Sequence, residues 1–171
     1  RAPHQVGEFN KEVKYGYLSV GKVIEGPTAM INKMVYTMFP HQSMYVLKSS
    51  LATLIPSHIP HKRALLTANM ETAINAMWDS KPTIGDTTYV LGAGIVGILM
   101  AYVLSRTFGM RVTIIDKDLS KKKLCKYLDI EFENNINCIE NPDIIYECTG
   151  NATVLNEIIK KSPLETKICV L

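Results

Sequence analysis

Gly92-Ala93-Gly94-Ile95-Val96-Gly97 is a G-x-G-x-x-G run that leaves an apolar strand pattern, Thr88-Tyr89-Val90-Leu91, and opens a helical pattern over residues 95–107. In that context each glycine has a physical task. Gly92 permits a tight turn, Gly94 lets the backbone approach a pyrophosphate, and Gly97 lets the helix pack closely on the strand. The helix start at Ile95 and Val96 turns unpaired N–H groups and a partial positive charge towards a diphosphate. A second feature stands in register with the first. The strand pattern Val112-Thr113-Ile114-Ile115 ends in Asp116, 19 residues after Gly97. An acid there accepts hydrogen bonds from adenosine ribose hydroxyls and repels a 2′-phosphate, which favours NAD over NADP. Lys117 puts a cation beside that acid and keeps NADP as the second choice. Lys121 could reach the adenosine end, while the lysines of 121–126 also read as a solvated helix face.

Two other readings compete. The glycines could form a structural turn with Asp116 as a strand-end cap. An S-adenosylmethionine methyltransferase also has a glycine loop and an acid ending its second strand. Such enzymes generally carry an acid late in the first strand, and here the residues are Tyr89-Val90-Leu91. The motif, its flanking strand and helix, and the acid in register favour the dinucleotide.

The elements that must hold this loop follow from the apolar pattern. Strands at 87–91, 111–116, 143–148 and 167–171 alternate with helices at about 95–107, 119–128 and 152–161, with one further short strand within 132–141. Continuous apolar strands separated by helices of this length predict a Rossmann-type parallel sheet with helices on both faces, an α/β fold. Before it, residues 62–78 lose their breakers and gain helix formers, predicting one helix or two with a joint near Asn69. The first part, to about Ser57, alternates short apolar runs at 14–23, 34–39 and 43–47 with turn residues, as short antiparallel strands do. The loop Cys148-Thr149-Gly150 follows the fourth strand, at the carboxyl edge where open α/β sheets bind ligands. Cys148 has no base paired with it in sequence and reads as small buried packing.

Composition narrows the class. With 19 Lys+Arg against 16 Asp+Glu, the net charge of +3 gives no electrostatic footprint for nucleic acid or acidic lipid. The 47% hydrophobic fraction excludes disorder. The four cysteines, Cys125, Cys138, Cys148 and Cys169, contain no C-x-x-C pair, so a reducing cytoplasm is the expected compartment. The most apolar window, residues 89–104, is too short and glycine-broken for the roughly 20 residues a membrane helix needs. The chain opens on Arg1 and stops inside the apolar run Ile168-Cys169-Val170-Leu171, which reads as a segment of a longer protein.

The run Gly85-Asp86-Thr87-Thr88-Tyr89-Val90-Leu91-Gly92-Ala93-Gly94-Ile95-Val96-Gly97, preceded by Met70-Glu71-Thr72-Ala73-Ile74-Asn75-Ala76, resembles the medium-chain dehydrogenase/reductase family, the alcohol-dehydrogenase-like proteins. Lys14-Tyr15-Gly16-Tyr17, Pro40-His41-Gln42 and Cys148-Thr149-Gly150 extend the resemblance along nearly the whole chain. It implies that residues 1–57 are part of a β-rich GroES-like catalytic domain, 58–81 a helical connection, and 82–171 a Rossmann domain truncated after its fifth strand. It also implies hydride transfer between a nicotinamide cofactor and a small alcohol or carbonyl, with Thr149 and Gly150 beside the cofactor and a homodimer through the sheet edge. The alternative is a dinucleotide-binding protein that is non-catalytic or truncated beyond activity.

Zinc-dependent members of that family carry Gly-His-Glu where this chain has Gly16-Tyr17-Leu18, and a further ligand near Ala68, Asn69 and Met70. The resemblance is therefore to a zinc-independent branch, and no zinc is expected. Some other group must then hold the substrate oxygen or its proton. Tyr17 stands in the place of the lost ligand, with a half-buried strand aromatic as the alternative reading. His41 follows Pro40 at a strand end and can carry a proton at neutral pH, or is a solvent-facing turn residue. Glu71 is either a site acid or complements the start of its helix.

Overall fold

A computed structural model describes His4, Gly7, Glu8 and residues 11–171. Residues 1–3, 5, 6, 9 and 10, which open the domain expected over 1–57, lie outside the described residues. The chain divides into two compact units, residues 1–68 and 69–171.

The first unit holds an antiparallel sheet of β1 (Ser19–Lys22), β2 (Met34–Thr37) and β3 (Ala52–Leu54), in that spatial order. Val20 pairs with Tyr36, and Tyr36 in turn with Thr53. The alternation along β2 is that of a half-buried strand, because Val35 and Thr37 are buried while their neighbours are partly exposed. This sheet fits part of a GroES-like domain. Its third strand differs from expectation: residues 43–47 join no sheet, and β3 lies later. The period-2 pattern at 43–47 has another cause. Tyr45 stacks on Phe39, with ring centroids 4.1 Å apart and planes 5° from parallel, and its hydroxyl lies 2.6 Å from Thr37 Oγ1. Met44 and Val46 point to solvent, 69% and 94% exposed.

A short helix α1 (His61–Ala64) leads to α2 (Thr67–Ser80). The joint falls at Leu65 and Leu66 rather than near Asn69. There Leu66 N–H returns to Arg63 O, and the Thr67 hydroxyl donates to Ala64 O at 2.7 Å, closing the first helix before the second begins.

The second unit is a five-stranded parallel sheet in the order β6-β5-β4-β7-β8. Its strands are β4 (Thr87–Leu91), β5 (Arg111–Ile115), β6 (Glu131–Glu133), β7 (Ile144–Glu147) and β8 (Lys167–Val170), with helices α3 (Ile95–Thr107), α4 (Lys122–Tyr127) and α5 (Ala152–Lys161) between them. Central β4 and β7 are almost wholly buried, which is why they read as unbroken apolar runs. One face carries Val90, Val112, Ile114, Ile144 and Tyr146 against α2, α3 and α4. The other carries Tyr89, Leu91, Ile115 and Ile145 against Ile158 of α5. Met100, Leu104, Ile114 and Ile145 are fully buried, each contributing about 2 kcal/mol of transfer free energy. Ser80 Oγ at the end of α2 lies 2.6 Å from the Tyr146 hydroxyl, fixing that helix to the sheet.

Candidate functional site: the carboxyl edge of the parallel sheet

The strand order reverses at β4, where β5 and β6 lie on one side and β7 and β8 on the other. In open α/β sheets the crevice beyond that point is where ligands sit. Three loops meet there: residues 92–94 after β4, Asp116 after β5, and 148–150 after β7.

The glycine loop has the form its sequence predicts. Gly92 takes φ +97°, and a Cβ on it would lie 3.1 Å from Cys148 O and 3.2 Å from Thr149 Cγ2. Gly97 is buried, and a Cβ there would stand 1.9 Å from Gly92 O, so only glycine lets α3 approach the turn. Gly94 is different in kind. It is the N-cap of α3, with extended backbone and no side-chain cap, and a Cβ on it would meet nothing within 4 Å. A side chain at this position would thus project into open space beside the start of α3, whose first N–H groups are those a helix leaves without intrahelical partners. Ile95 is exposed and Val96 half-buried beside it.

Asp116 is half-buried at this mouth. Its Oδ2 accepts the Ala93 N–H at 2.7 Å and its Oδ1 the Asp118 N–H at 2.8 Å. Each oxygen keeps a lone pair for a further donor. Lys117 is exposed, and Lys121 Nζ lies 3.9 Å from Asp118 Oδ2. Hydrogen bonding from Ser120, followed by the Lys121 charge as a smaller cause, lowers the Asp118 carboxyl below its usual range.

On the other side of β4, Cys148 N–H donates to Leu91 O at 2.9 Å, and Gly150 adopts φ +63°. Burial, with the neighbouring Glu147 and Cys169 adding to it, pushes the Cys148 thiol up from 9.0 to about 12. A thiol held protonated this firmly is no nucleophile.

The three candidate proton carriers divide between the units. In the first, Tyr17 is 40% exposed in a bend ahead of β1, not on the strand itself. His41 N–H donates to Tyr15 O at 2.8 Å, and its exposed ring lies on Gly16, whose φ is +84° and whose Cβ would collide with it. In the second unit, Glu71 is exposed and beyond the first turn of α2, where the pull of the helix terminus has faded. Among the described residues, no three His, Cys, Asp or Glu side chains gather as metal ligands would, and no helix is long and apolar enough to cross a membrane.

Two features of this edge escaped the sequence. Asp116 serves the glycine loop directly, and Glu147, the last residue of β7, is a buried carboxyl 1% exposed. Two surface grooves, of about 460 and 430 Å³, include Asn141 and Pro142 ahead of β7 and Arg111 at the start of β5, and neither touches the glycine loop.

The fold is similar to that of solved alcohol-dehydrogenase-like proteins. A short chain alcohol dehydrogenase from E. coli CFT073, solved with NADH, superposes with a TM-score of 0.72 at 17% identity, covering 90% of this chain and 58% of that one. The 2R,3R-butanediol dehydrogenase of Bacillus subtilis gives 0.66 at 17% identity, over 89% and 56% of the two chains. TarJ of S. aureus in complex with NADPH gives 0.68 at 19%, over 88% and 52%. The chain therefore spans little more than half the length of these proteins, and at such identity the likeness is one of fold. Neither a family model nor a curated protein matches the sequence.

Proposed function

We propose that the chain is part of an oxidoreductase that binds a nicotinamide dinucleotide, NAD in preference to NADP, at the carboxyl edge of its parallel sheet. The observation that carries this reading is the open space at Gly94, beside the start of α3, with the Asp116 carboxylate next to it. The glycine loop with Ile95 and Val96 would hold the diphosphate, and Asp116 the adenosine ribose hydroxyls. Lys117 and Lys121 flank the adenosine end, while Cys148, Thr149 and Gly150 form the opposite wall. When bound, the dinucleotide supplies the hydride donor or acceptor for a small alcohol or carbonyl. The segments 1–57, 58–81 and 82–171 would be the partial catalytic domain, its helical connection and the cofactor domain.

The chain's own task is then to hold the proton at the substrate oxygen. Among Tyr17, His41 and Glu71 we favour His41, because its imidazole lies on Gly16, where any side chain would collide with the ring. Gly16-Tyr17-Leu18 lacks the donors of a zinc site, so the reaction is assigned to side-chain acid–base chemistry without zinc. Calorimetric titration with NADH tests the binding half. Loss of NADH absorbance with short aldehydes and ketones, abolished by His41→Gln at unchanged NADH affinity, tests the catalytic half. Binding with no turnover on any carbonyl would favour a non-catalytic dinucleotide-binding protein.

A further inference from the structure

Glu147 stands in the middle of the parallel sheet, paired in register with Leu91 on one side and Val170 on the other. Its side chain is 1% exposed among apolar strands. Packing alone would be served better by an aliphatic residue, since a buried carboxyl must be given partners to be tolerated. The partners lie in the loop that follows. Glu147 Oε1 accepts the Thr149 N–H at 2.7 Å and also the Thr149 hydroxyl. Thr149 Oγ1 accepts the Asn151 N–H at 3.0 Å, and Asn151 Oδ1 accepts the Thr153 N–H at 2.9 Å, capping α5. A continuous series of hydrogen bonds thus runs from the core of the sheet through an exposed threonine to a helix start. The segment it fixes is the one packed on Gly92, where Cys148 O and Thr149 Cγ2 stand 3.1 and 3.2 Å from a Cβ built there.

We infer that Glu147 is a positioning residue for cofactor binding: its buried carboxyl fixes residues 148–150 through Thr149 and so sets the width of the crevice opposite Asp116. The inference rests on the dinucleotide reading of that crevice. Glu147 touches no ligand in this account and acts only through Thr149.

A double-mutant cycle read by calorimetric titration with NADH tests it. Glu147→Leu and Thr149→Val are each expected to weaken NADH binding about tenfold, the scale of a lost hydrogen bond. The double variant is expected to be no weaker than Glu147→Leu alone, because the hydroxyl bond lost in Thr149→Val is one of the two that Glu147→Leu already removes. Glu147→Gln keeps the Oε1 acceptor and should return the affinity to near the parent value. If Glu147→Leu does not fold, Glu147→Asp, which withdraws the carboxyl by one methylene, replaces it in the cycle. Additive losses, or unchanged NADH affinity in both single variants, would overturn the positioning role. A parent chain that binds no NADH would instead overturn the dinucleotide reading, and this inference with it.

Discussion

Asp116 Oδ2 accepts the backbone N–H of Ala93 at 2.7 Å, so the acid that ends β5 is tied to the glycine loop that follows β4. In the proposed function this carboxylate has two tasks, the loop anchoring seen here and ribose recognition. Asp116→Ala should lose both, lowering stability by roughly 2 kcal/mol and weakening NADH at the same time. Asp116→Asn keeps an acceptor for one of the two backbone amides but loses the charge that opposes a 2′-phosphate. It should melt close to the parent while its preference for NADH over NADPH shrinks. Thermal melts beside paired titrations separate the two effects, and equal preference in parent and Asp116→Asn would remove Asp116 from cofactor selection.

Gly97 and Gly94 should respond oppositely to the same methyl group. Gly97→Ala places a Cβ 1.9 Å from Gly92 O, and overpacking of that kind should destabilise the chain by roughly 3 kcal/mol. Gly94→Ala meets no atom within 4 Å and should cost at most about 1 kcal/mol, as an N-cap change. Its methyl nevertheless enters the space assigned to the diphosphate. Denaturant unfolding should show a large loss for the first variant only, and titration a large loss of NADH affinity for the second.

Thr88 is 1% exposed on β4, and its hydroxyl has no hydrogen-bond partner among the described residues. Thr88→Val replaces an unsatisfied buried oxygen by a methyl of similar volume. Stabilisation by about 1 kcal/mol is expected in denaturant unfolding, and destabilisation would mean that the hydroxyl has a partner.

The Cys148 thiol ionises near pH 12 in the fold and near 9.0 without it. Between those values the unfolded chain releases a proton that the folded chain retains. Stability from this group is thus complete below pH 9 and declines up to pH 12, by about 1.4 kcal/mol per pH unit. Burial raises Cys125, Cys138, Cys169 and Tyr146 in the same direction. Cys148→Ala should flatten part of the alkaline decline without removing it, as followed by chemical unfolding from pH 8 to 11.

What could be read from the sequence depended on how locally each feature is determined. The strands β4, β5 and β7 are buried on one or both sides and β8 is an apolar run partly buried against β7, so their hydrophobic period shows directly, and the glycine loop is a local backbone requirement. Strand β3 could not be read, because Ala52 is half-buried, Thr53 and Leu54 are exposed, and all three owe their pairing to β2, whereas residues 43–47 alternate because Tyr45 stacks on Phe39. The start of β6 within Glu131–Glu133, ahead of the 132–141 window, is equally short and exposed. Likewise Glu147 reads as an ordinary acid at a strand end until the register of β4, β7 and β8 encloses it. The tie between Asp116 and Ala93 joins residues 23 positions apart, which no local pattern reveals.

Titration of this chain with NADH, NADPH and S-adenosylhomocysteine tests the central claim most directly. Tightest binding of NADH, weakened strongly by Gly94→Ala in a protein that melts like its parent, is the predicted result. Binding of S-adenosylhomocysteine alone, or NADH affinity indifferent to Gly94→Ala, would contradict a nicotinamide dinucleotide at the glycine loop.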